Sequence, residues 1–353
     1  MEHAFGRSEP FSLGVEEELL LVDEQTLELV AAAPEVIAAA DGAVKAELFA
    51  SLVEIESGIC ATPAEAAARV AERRRVLADV ASRAGLRAIA VGSHPFSLPE
   101  DQPITDLPHY IEFVESTGPA ARRQGVCGLH VHVGMPDPET CVRAHEAVLP
   151  WLPVVLALSA NSPWFRGVAT GLLSTRAEIL ATLPRAAGPP PFSSFAEWEA
   201  MMERWLRAGV LKKTTSTWWD VRVHPQLGTL ELRIADQTTH PDVGAAFIAL
   251  LHALGIWAAG QDGRPASRAD YQSNRFFASR FGPRAELVHP YEDRLATVPE
   301  LFEELVELLR RHLDAKLLAA LDPTRSEADL QLEAGDPRAA CAAVVERSLA
   351  SRA

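Results

Sequence analysis

Cysteine is scarce in this chain of 353 residues, which contains only four of them. No two cysteines form a CxxC pair, so their spacing does not indicate a structural zinc module. Sparse and unpatterned cysteine is typical of proteins that work in a reducing compartment. We therefore expect a cytoplasmic protein.

Positive charge is also in short supply. The chain has 33 Lys and Arg residues against 48 Asp and Glu residues, and its formal net charge is −15. Such a surface repels nucleic-acid phosphates and anionic lipids, so neither is an expected partner. Residues 1–10 are polar and hold no apolar run of signal-peptide type. The apolar stretches at 151–158 and 245–259 look too short or too interrupted to span a bilayer.

Phosphate-binding loops are absent as well. The chain contains neither GxxxxGKS nor GxxxxGKT, and no GxGxxG follows a predicted strand. A nucleotide would therefore have to bind on the face of a sheet with its metal ions. The hydrophobic fraction of 48% is sufficient for one large core, and there is no internal repeat. We expect residues 1–353 to form a single domain.

Strands and helices can be placed from alternation and capping signals. Apolar runs predict strands at 11–22, 51–60, 86–93 and 126–134, and a hairpin of 218–224 with 229–236. Capping residues predict helices that start after Thr62, Asp137 and Ser194. A further helix is predicted at 299–321, with an apolar stripe formed by Leu301, Leu305, Leu308 and Leu309.

The order of these elements follows no regular βαβ period. An α+β fold with a mainly antiparallel sheet is therefore favoured over a doubly wound fold. Residues 92–110 and 188–194 are rich in proline and predict loops. Long loops often cover enzyme sites, although a plain surface connection is the preferred interpretation for 188–194.

Charged residues alternate with apolar residues in four of the predicted strands. Side chains of a strand point alternately to its two faces, so residues two apart share a face. The same-face pairs are Glu16 and Glu18, Glu54 and Glu56, His130 and His132, and Glu231 and Arg233. One such strand would be ordinary amphipathic patterning. Four predict a sheet with one apolar face and one face that carries acids, histidines and an arginine.

A face of this kind needs counter-ions if it is enclosed. Each uncompensated buried charge costs on the order of several kcal/mol, whereas a whole domain is stable by about 5–15 kcal/mol. Divalent cations held by carboxylate oxygens would offset the repulsion, and a glutamate-rich set favours Mg²⁺ or Mn²⁺ over zinc. Magnesium bound in this way often clamps nucleotide phosphates, and Arg233 could neutralise a transferred phosphoryl group.

The pair His130 and His132 also has other interpretations. His-x-His on a strand can bind zinc in a hydrolase, with His94 or Glu231 as the third ligand. Both rings could instead form structural hydrogen bonds in a cleft. We rank a magnesium or nucleotide contact first and zinc second.

The ordered motifs resemble those of type 2 glutamate–cysteine ligases, the YbdK-like carboxylate–amine ligases. The first motif of the family resembles the segment Phe11-Ser12-Leu13-Gly14-Val15-Glu16-Glu17-Glu18 of this chain, together with residues 21–23. Further matches, in chain order, are residues 53–55, 92–96, 127–134, 158–163, 218–222 and 231–233. The resemblance covers roughly residues 11–290, and the ordered set is more specific than any single motif.

The resemblance implies a glutamine-synthetase-like fold, in which an antiparallel sheet forms a cup with helices packed outside. It also implies ATP with Mg²⁺, or alternatively Mn²⁺. The metal-binding positions that it implies are Glu16, Glu18, Glu54, His130 and Glu231. The implied catalytic residues are Arg233, Glu54 and His130. The residues predicted to contact the cofactor are His132, Arg222 and Asn161.

The implied reaction joins a carboxylate such as that of glutamate to an amine such as cysteine. The carboxylate attacks the γ-phosphate of ATP, and the amine then displaces phosphate from the acyl phosphate. A zinc hydrolase or a nucleotide-binding protein without turnover are the alternatives. The partners are thus small molecules, and the apolar helix stripes are compatible with a homodimer without requiring one.

One segment departs from the family pattern. After Val53-Glu54-Ile55 the family usually continues with Asn-Thr-Pro, whereas this chain has Glu56-Ser57-Gly58. The added carboxylate lies beside the predicted metal ligands. We expect it to affect metal affinity or the amine site more than the type of reaction.

Overall fold

A seven-stranded antiparallel sheet forms the centre of the fold, with the strand order β10-β11-β5-β1-β3-β2 and β4 paired to β1. The computed structural model describes residues 1–348. Its strands are β1 Leu13–Asp23, β2 Lys45–Ala46, β3 Leu52–Glu56, β4 Leu86–Ile89, β5 Leu129–Gly134, β6 Trp164–Phe165, β7 Val168–Ala169, β8 Ala186–Ala187, β9 Trp218–Trp219, β10 Val221–His224, β11 Thr229–Leu232, β12 Glu286–Val288 and β13 Leu295–Thr297. The predicted α+β fold class, with a mainly antiparallel sheet of the glutamine-synthetase-like type, is confirmed.

Helices surround this sheet. They are α1 Ala33–Ala39, α2 Pro63–Arg83, α3 Pro108–Thr117, α4 Pro119–Arg122, α5 Pro138–Val148, α6 Leu152–Ser159, α7 Thr175–Leu180, α8 Phe195–Arg207, α9 Pro241–Ala259, α10 Arg268–Phe281, α11 Val298–Leu309, α12 Glu327–Glu333 and α13 Pro337–Ser348. Short 3₁₀ turns occur at Pro99–Asp101, Leu149–Trp151, Gly282–Arg284 and Leu317–Ala320.

The predicted helix starts are confirmed by their capping contacts. The Thr62 hydroxyl accepts a hydrogen bond from the backbone N–H of Glu65 at 3.2 Å, and Pro63 occupies the first helical position. Asp137 and Ser194 cap α5 and α8 through their side-chain oxygens. These contacts satisfy backbone donors that the first turn of a helix leaves without partners.

The long helix predicted at 299–321 is wrong in its length. The helix ends at Leu309, and only the 3₁₀ turn Leu317–Ala320 follows within the predicted range. Leu301, Leu305 and Leu309 are buried, but Leu308 is exposed and does not belong to the stripe. Residues 310–312 are Arg-Arg-His, so three polar residues follow Leu309 before Leu313 packs against the core again outside the helix.

The apolar face of the sheet packs against α2, α5 and α9. Glu17 points to this face, opposite to Glu16 and Glu18, and forms a buried ion pair with Arg74 at 2.6 and 2.8 Å. The same guanidinium donates to the carbonyls of Thr238 and Thr239 at 2.9 and 2.8 Å. One buried cation therefore neutralises Glu17 and joins β1 to the segment that precedes α9.

In the part of the chain that the structure describes, two helical stretches are long and apolar enough to cross a membrane by length and composition, namely Pro138–Ser159 and Pro241–Ala259. The predicted apolar stretches are parts of these longer helical stretches, so the prediction that they are too short to cross a membrane is wrong with respect to length. Within the protein, 83% and 67% of their most apolar windows are buried, which is typical of core helices. The helix α9 lies against β5, where Gly255 allows close contact with Val133.

The two predicted loops have different surroundings. Residues 92–110 contain a 3₁₀ turn and lead into α3, which lines the cavity described below. Residues 188–194 are fixed by hydrogen bonds from α10, because Arg268 donates to the carbonyls of Pro189 and Pro190 at 2.7 and 3.1 Å. Arg268 in turn pairs with the buried carboxylate of Glu146 at 2.6 Å. The second loop is thus anchored to the helical layer.

Candidate active site

Glu16 occupies the centre of the polar face of the sheet. In the strand ladders it lies opposite Glu56 on β3 and opposite His130 on β5. Its carboxylate approaches both histidines, with Oε2 3.4 Å from Nδ1 of His130 and Oε1 3.3 Å from Nε2 of His132. Burial opposes the ionisation of Glu16, but the two histidines outweigh it and lower the pKa of this carboxyl.

The neighbouring strands add further polar residues in register. Glu18 lies opposite Glu54, and His132 lies opposite Glu231. The alternation in the sequence therefore places acids and histidines from four strands on one face, as predicted. Lys45 on the edge strand β2 lies opposite Glu54 and extends this polar face.

Glu231 is fully buried and held by two arginines. Arg222 donates from Nε to Oε2 at 2.6 Å and from Nη2 to Oε1 at 3.0 Å, and Arg233 pairs with Oε1. Burial alone would raise the pKa of Glu231, but the charges of the two guanidinium groups hold it well below its ordinary value. A charge-assisted bidentate pair of this kind fixes the carboxylate in one orientation.

Each of the two histidine rings has one buried nitrogen atom that makes no hydrogen bond in the described residues. His132 contacts the hydroxyl of Thr229 through Nδ1 at 2.9 Å. Within the described residues 1–348, Nε2 of His130 and Nε2 of His132 have no hydrogen-bond partner, although both residues are buried. Burial, together with the charge of Arg233, lowers the pKa of His130 to about 4, so its ring is neutral and able to act as a ligand.

Among residues 1–348, three groups of side chains offer ligand atoms that lie within 4.8 Å of one another. They are Glu16 with His132 and Glu231, Glu16 with Glu54 and Glu56, and Glu18 with Glu47 and Glu54. Carboxylate oxygens with a single imidazole nitrogen form a donor set that suits Mg²⁺ or Mn²⁺. The unpartnered Nε2 of His132 in the first group is the local observation that fits this interpretation.

Without a cation, the second and third groups are electrostatically unfavourable. Burial and the charge of Glu47 raise the pKa of Glu18 to about 7. Burial and the neighbouring acids, Glu16 first among them, raise the pKa of Glu54 well above its ordinary value. Burial also raises the pKa of Glu47. These acids would ionise fully when a divalent cation is bound.

We expect Glu54→Gln to stabilise the metal-free protein at neutral pH by about 1–2 kcal/mol of unfolding free energy. A carboxyl with a raised pKa in the folded state costs no stability below its ordinary value of 4.5, and the cost grows as the pH rises toward the folded-state pKa. The gain should therefore disappear in acid. Urea unfolding in EDTA across this pH range measures it.

The matched control for this prediction is Glu24→Gln, which removes an exposed carboxylate paired with Arg87. That substitution should change stability little at any pH, because surface ion pairs contribute about 0–1 kcal/mol. A Glu54→Gln protein that is less stable than wild type in EDTA at neutral pH would contradict the predicted repulsion.

A cavity of about 350 Å³ opens beside this polar face. Glu18, His130, Arg176 and Arg233 contribute to its lining from the sheet side. The helix α3 and the segment 210–218 form other parts of the wall. The remaining charged and aromatic residues of the lining are Glu47, His109, Tyr110, Glu112, Phe113, Arg185, Lys212, Lys213 and Trp218.

Two contacts join α3 to the segment 210–218 across the cavity wall. Lys212 forms an ion pair with Glu112, and the rings of Phe113 and Trp218 lie 4.9 Å apart. The lining combines several cations with aromatic rings. It is therefore suited to an anionic ligand with a planar or apolar part.

Most of the predicted site residues come together on this face. Glu16, Glu18, Glu54, His130, His132, Glu231 and Arg233 are all within the polar cluster. Arg222 lies beside it and anchors Glu231, and its Nη1 also donates to the carbonyl of Thr215 at 2.7 Å. Its direct contact with a nucleotide remains a prediction.

Asn161 is not brought to this cluster. Its side-chain amide donates to the carbonyl of Gln237 at 2.7 Å and to the hydroxyl of Thr239 at 2.9 Å, and its oxygen accepts from Gln331 at 2.7 Å. All of its polar atoms are thus used within the protein. These contacts give Asn161 the role of joining the loop before α9 to α12.

His94, the predicted alternative zinc ligand, also has other partners. Its Nδ1 accepts from the backbone of Phe96 and Ser97 at 3.2 and 2.9 Å, and its Nε2 contacts the carbonyl of Leu27 at 2.9 Å. Both nitrogens are therefore occupied. The pair His130 and His132 instead has Glu16 and Glu231 as its acidic neighbours.

Two important residues were missed by the sequence interpretation. Glu47 follows Lys45 at the same-face spacing seen in the other strands, so the alternation could have identified it. Arg176 lies at the start of α7, and its Nη1 donates to the carbonyl of Ile234 at 3.2 Å. A Cβ on Gly128 would lie only 2.1 Å from the guanidinium of Arg176, so this glycine makes room for it.

Comparison with solved structures shows a fold shared with ligases of glutathione synthesis. Glutamate–cysteine ligase of Francisella tularensis in complex with AMP aligns with 97% of this chain and 88% of its own chain, at a TM-score of 0.72 and 10% identity. The bifunctional glutathione synthetase of Pasteurella multocida aligns with 96% of this chain and 51% of its own, at a TM-score of 0.65 and 15% identity. At these identities the likeness establishes the fold.

The sequence comparisons establish the family. The profile of glutamate-cysteine ligase family 2 (GCS2) matches residues 12–331, and the chain belongs to this family of ligases. A relative provisionally named glutamate–cysteine ligase 2-3, from Rubrobacter xylanophilus, is 40% identical over 336 residues, which cover 92% of each chain. A glutamate–cysteine ligase 2, likewise named provisionally, from Rhodospirillum rubrum is 38% identical over 317 residues, covering 86% of this chain and 82% of its own.

Proposed function

We propose that the protein is an ATP-dependent carboxylate–amine ligase that activates glutamate as an acyl phosphate and joins it to an amine such as cysteine. The observation that carries the proposal is the position of Arg233, which pairs with Glu231 of one candidate metal group and also lines the cavity beside Glu18 of another. Family membership and the AMP complex of the Francisella enzyme support the same reaction.

The candidate metal groups suit two adjacent divalent ions. Glu16, His132 and Glu231 would hold one, and Glu18, Glu47 and Glu54 would hold the other. Bound Mg²⁺ would neutralise the phosphate oxygens and orient the γ-phosphate toward the carboxylate. Arg222 and Arg233 fix the orientation of the Glu231 carboxylate, which would offer an oxygen to the ion.

The first step transfers the γ-phosphoryl group of ATP to a carboxylate oxygen of the acid, with ADP as the leaving group. Arg233 donates to the oxygens of the transferred group, where negative charge is concentrated. Arg176, which lines the same cavity, adds a second positive charge. In the second step the free amine attacks the acyl carbon, the C–N bond forms, the acyl C–O bond to phosphate breaks, and the proton lost from nitrogen leaves with phosphate.

No covalent protein intermediate is required. The four cysteines are buried. Burial raises the pKa of the Cys127 thiol, next to the histidine strand, well above its ordinary value. A thiol in that state is a poor nucleophile. Positioning and neutralisation of charge therefore carry the catalysis.

The test is a screen of ADP release with pairs of amino acids, beginning with glutamate and cysteine. We expect release to require the acid, the amine and Mg²⁺ or Mn²⁺ together, and the amide to form in equal amount with ADP. Nucleotide binding without release for any pair would favour a binding protein without turnover. Hydrolysis that depends on zinc and is independent of ATP would favour a hydrolase.

A further inference from the structure

An ion pair between Lys45 and Glu56 lies at the edge of the acidic face. Glu56 is opposite Glu16 in the β1–β3 ladder, and Lys45 is opposite Glu54 in the β2–β3 ladder. Both side chains therefore belong to the same face as the candidate metal ligands. They retain 34% and 58% exposure, so a ligand from solvent can reach them.

The Lys45 ammonium group shows what kind of cation this position accepts. It sits against a carboxylate whose oxygen lies within 4.8 Å of ligand atoms of Glu16 and Glu54. A primary ammonium group is a compact charge with three donors, and a substrate amine in its protonated form is chemically the same group. The side chain of Lys45 is long and largely exposed, so it can move aside.

A second observation indicates that Glu16, which belongs to the same group as Glu56, faces a ligand. His132 is 4% exposed, and its Nε2 lies 3.3 Å from Oε1 of Glu16 without a hydrogen-bond partner in residues 1–348. The lining of the 350 Å³ cavity includes Glu18 and Glu47, and among the described residues it includes neither Glu56 nor Lys45. The Lys45–Glu56 pair thus lies outside the cavity wall, on the β2–β3 edge of the acidic face.

We propose that Glu56 binds the ammonium group of the amine substrate, in the position that the Lys45 ammonium occupies in the structure. The inference rests on the proposed ligase function and adds a specificity-determining residue to it. The amine then reaches the activated acid from the β2–β3 edge. Glu56 holds the ammonium group by charge-assisted hydrogen bonds. The group loses one proton to solvent before its nitrogen attacks, and the free amine then forms the C–N bond as phosphate leaves.

The proposal is tested with Glu56→Gln and two kinds of nucleophile. Amino acids carry an ammonium group at mildly alkaline pH, whereas hydroxylamine is uncharged there and traps acyl phosphates as hydroxamates. For the amino acid that wild type uses, we expect the KM to rise by about tenfold or more, because a charge-assisted contact is lost. Hydroxamate formation should stay within about twofold of wild type, because that reaction needs no ammonium site.

Other outcomes separate this proposal from its alternatives. Equal losses with both nucleophiles, together with a higher requirement for Mg²⁺, would make Glu56 a metal ligand and overturn the proposal. An unchanged KM for the amino acid would overturn it as well. If wild type forms neither amide nor hydroxamate with any acid, the ligase function itself fails, which is a different result.

Lys45→Met is a second variant, for which we expect the KM for the amine to change in the opposite direction. Removal of the internal ammonium should lower the KM for the amine, by about threefold, because Glu56 no longer has a competing partner. A higher KM in Lys45→Met would contradict the proposal that the substrate ammonium and the Lys45 ammonium bind at the same place on Glu56. The control is Glu24→Gln, whose exposed pair with Arg87 lies just after β1 and should leave both reactions unchanged.

Discussion

Replacement of Glu16 by glutamine is expected to reduce metal-dependent ADP release by about 10³-fold, while the protein stays folded. Glu16 belongs to two of the three candidate metal groups and contacts both histidines of β5. A glutamine keeps the size of the side chain but loses a negative charge that would hold a bound cation together with His132 and Glu231. Steady-state assays of ADP release at saturating Mg²⁺, with melting temperatures measured in parallel, provide the test.

The control for Glu16 is Glu28→Gln, an exposed carboxylate paired with Arg338. It should release ADP at the wild-type rate, because it lies outside the polar cluster. Near-normal turnover in Glu16→Gln would show that Glu16 is not a metal ligand. The proposal that acids from neighbouring strands hold divalent cations on this face would then lose its support. A large fall in melting temperature would instead indicate a structural role.

Arg233→Ala is expected to lower kcat for ADP release by about 10³-fold, with a smaller change in the KM for ATP. The guanidinium lines the cavity and is paired with Glu231, so it can contact the transferred phosphoryl group while it stays anchored to the sheet. Its largest contribution should therefore appear in the transition state. Arg233→Lys should recover only part of the loss, because a lysine cannot form the same planar contacts.

The fold should tolerate the loss of Arg233, because Arg222 still holds Glu231 through two hydrogen bonds. The matched control is Arg87→Ala, a surface arginine whose pair with Glu24 is exposed. If Arg233→Ala raised the KM for ATP and left kcat unchanged, the residue would serve ground-state binding rather than phosphoryl transfer. Mg²⁺ binding measured by calorimetry would then separate the two roles.

The polar face could be predicted from sequence because the period of a strand is simple. The alternation in β1, β3, β5 and β11 determines which side chains share a face, and hydrophobic burial selects the opposite face for the core. Antiparallel pairing then brings those strands together. The register that sets Glu16 between Glu56 and His130 follows from tertiary packing, which no local pattern specifies.

Contributions from helices and loops were harder to predict. Arg176 reaches the site from α7 and contacts backbone carbonyls, so its role depends on a distant turn of the chain. Asn161 was predicted from a matching motif to contact the cofactor. Its side chain instead joins the loop before α9 to α12. The helix after Thr297 was predicted too long, since leucines at 313, 318 and 321 continue the apolar pattern and pack against the core without forming an α-helix.

The helix α3 contributes no buried residue to the protein, yet it lines the cavity. Elements with little buried surface open at a small fraction of the free energy that unfolds the whole chain. Local opening of this wall is therefore expected to cost less free energy than global unfolding. Substitutions on the exposed side of α3 should change access to the cavity more than they change the stability of the sheet that holds the acids.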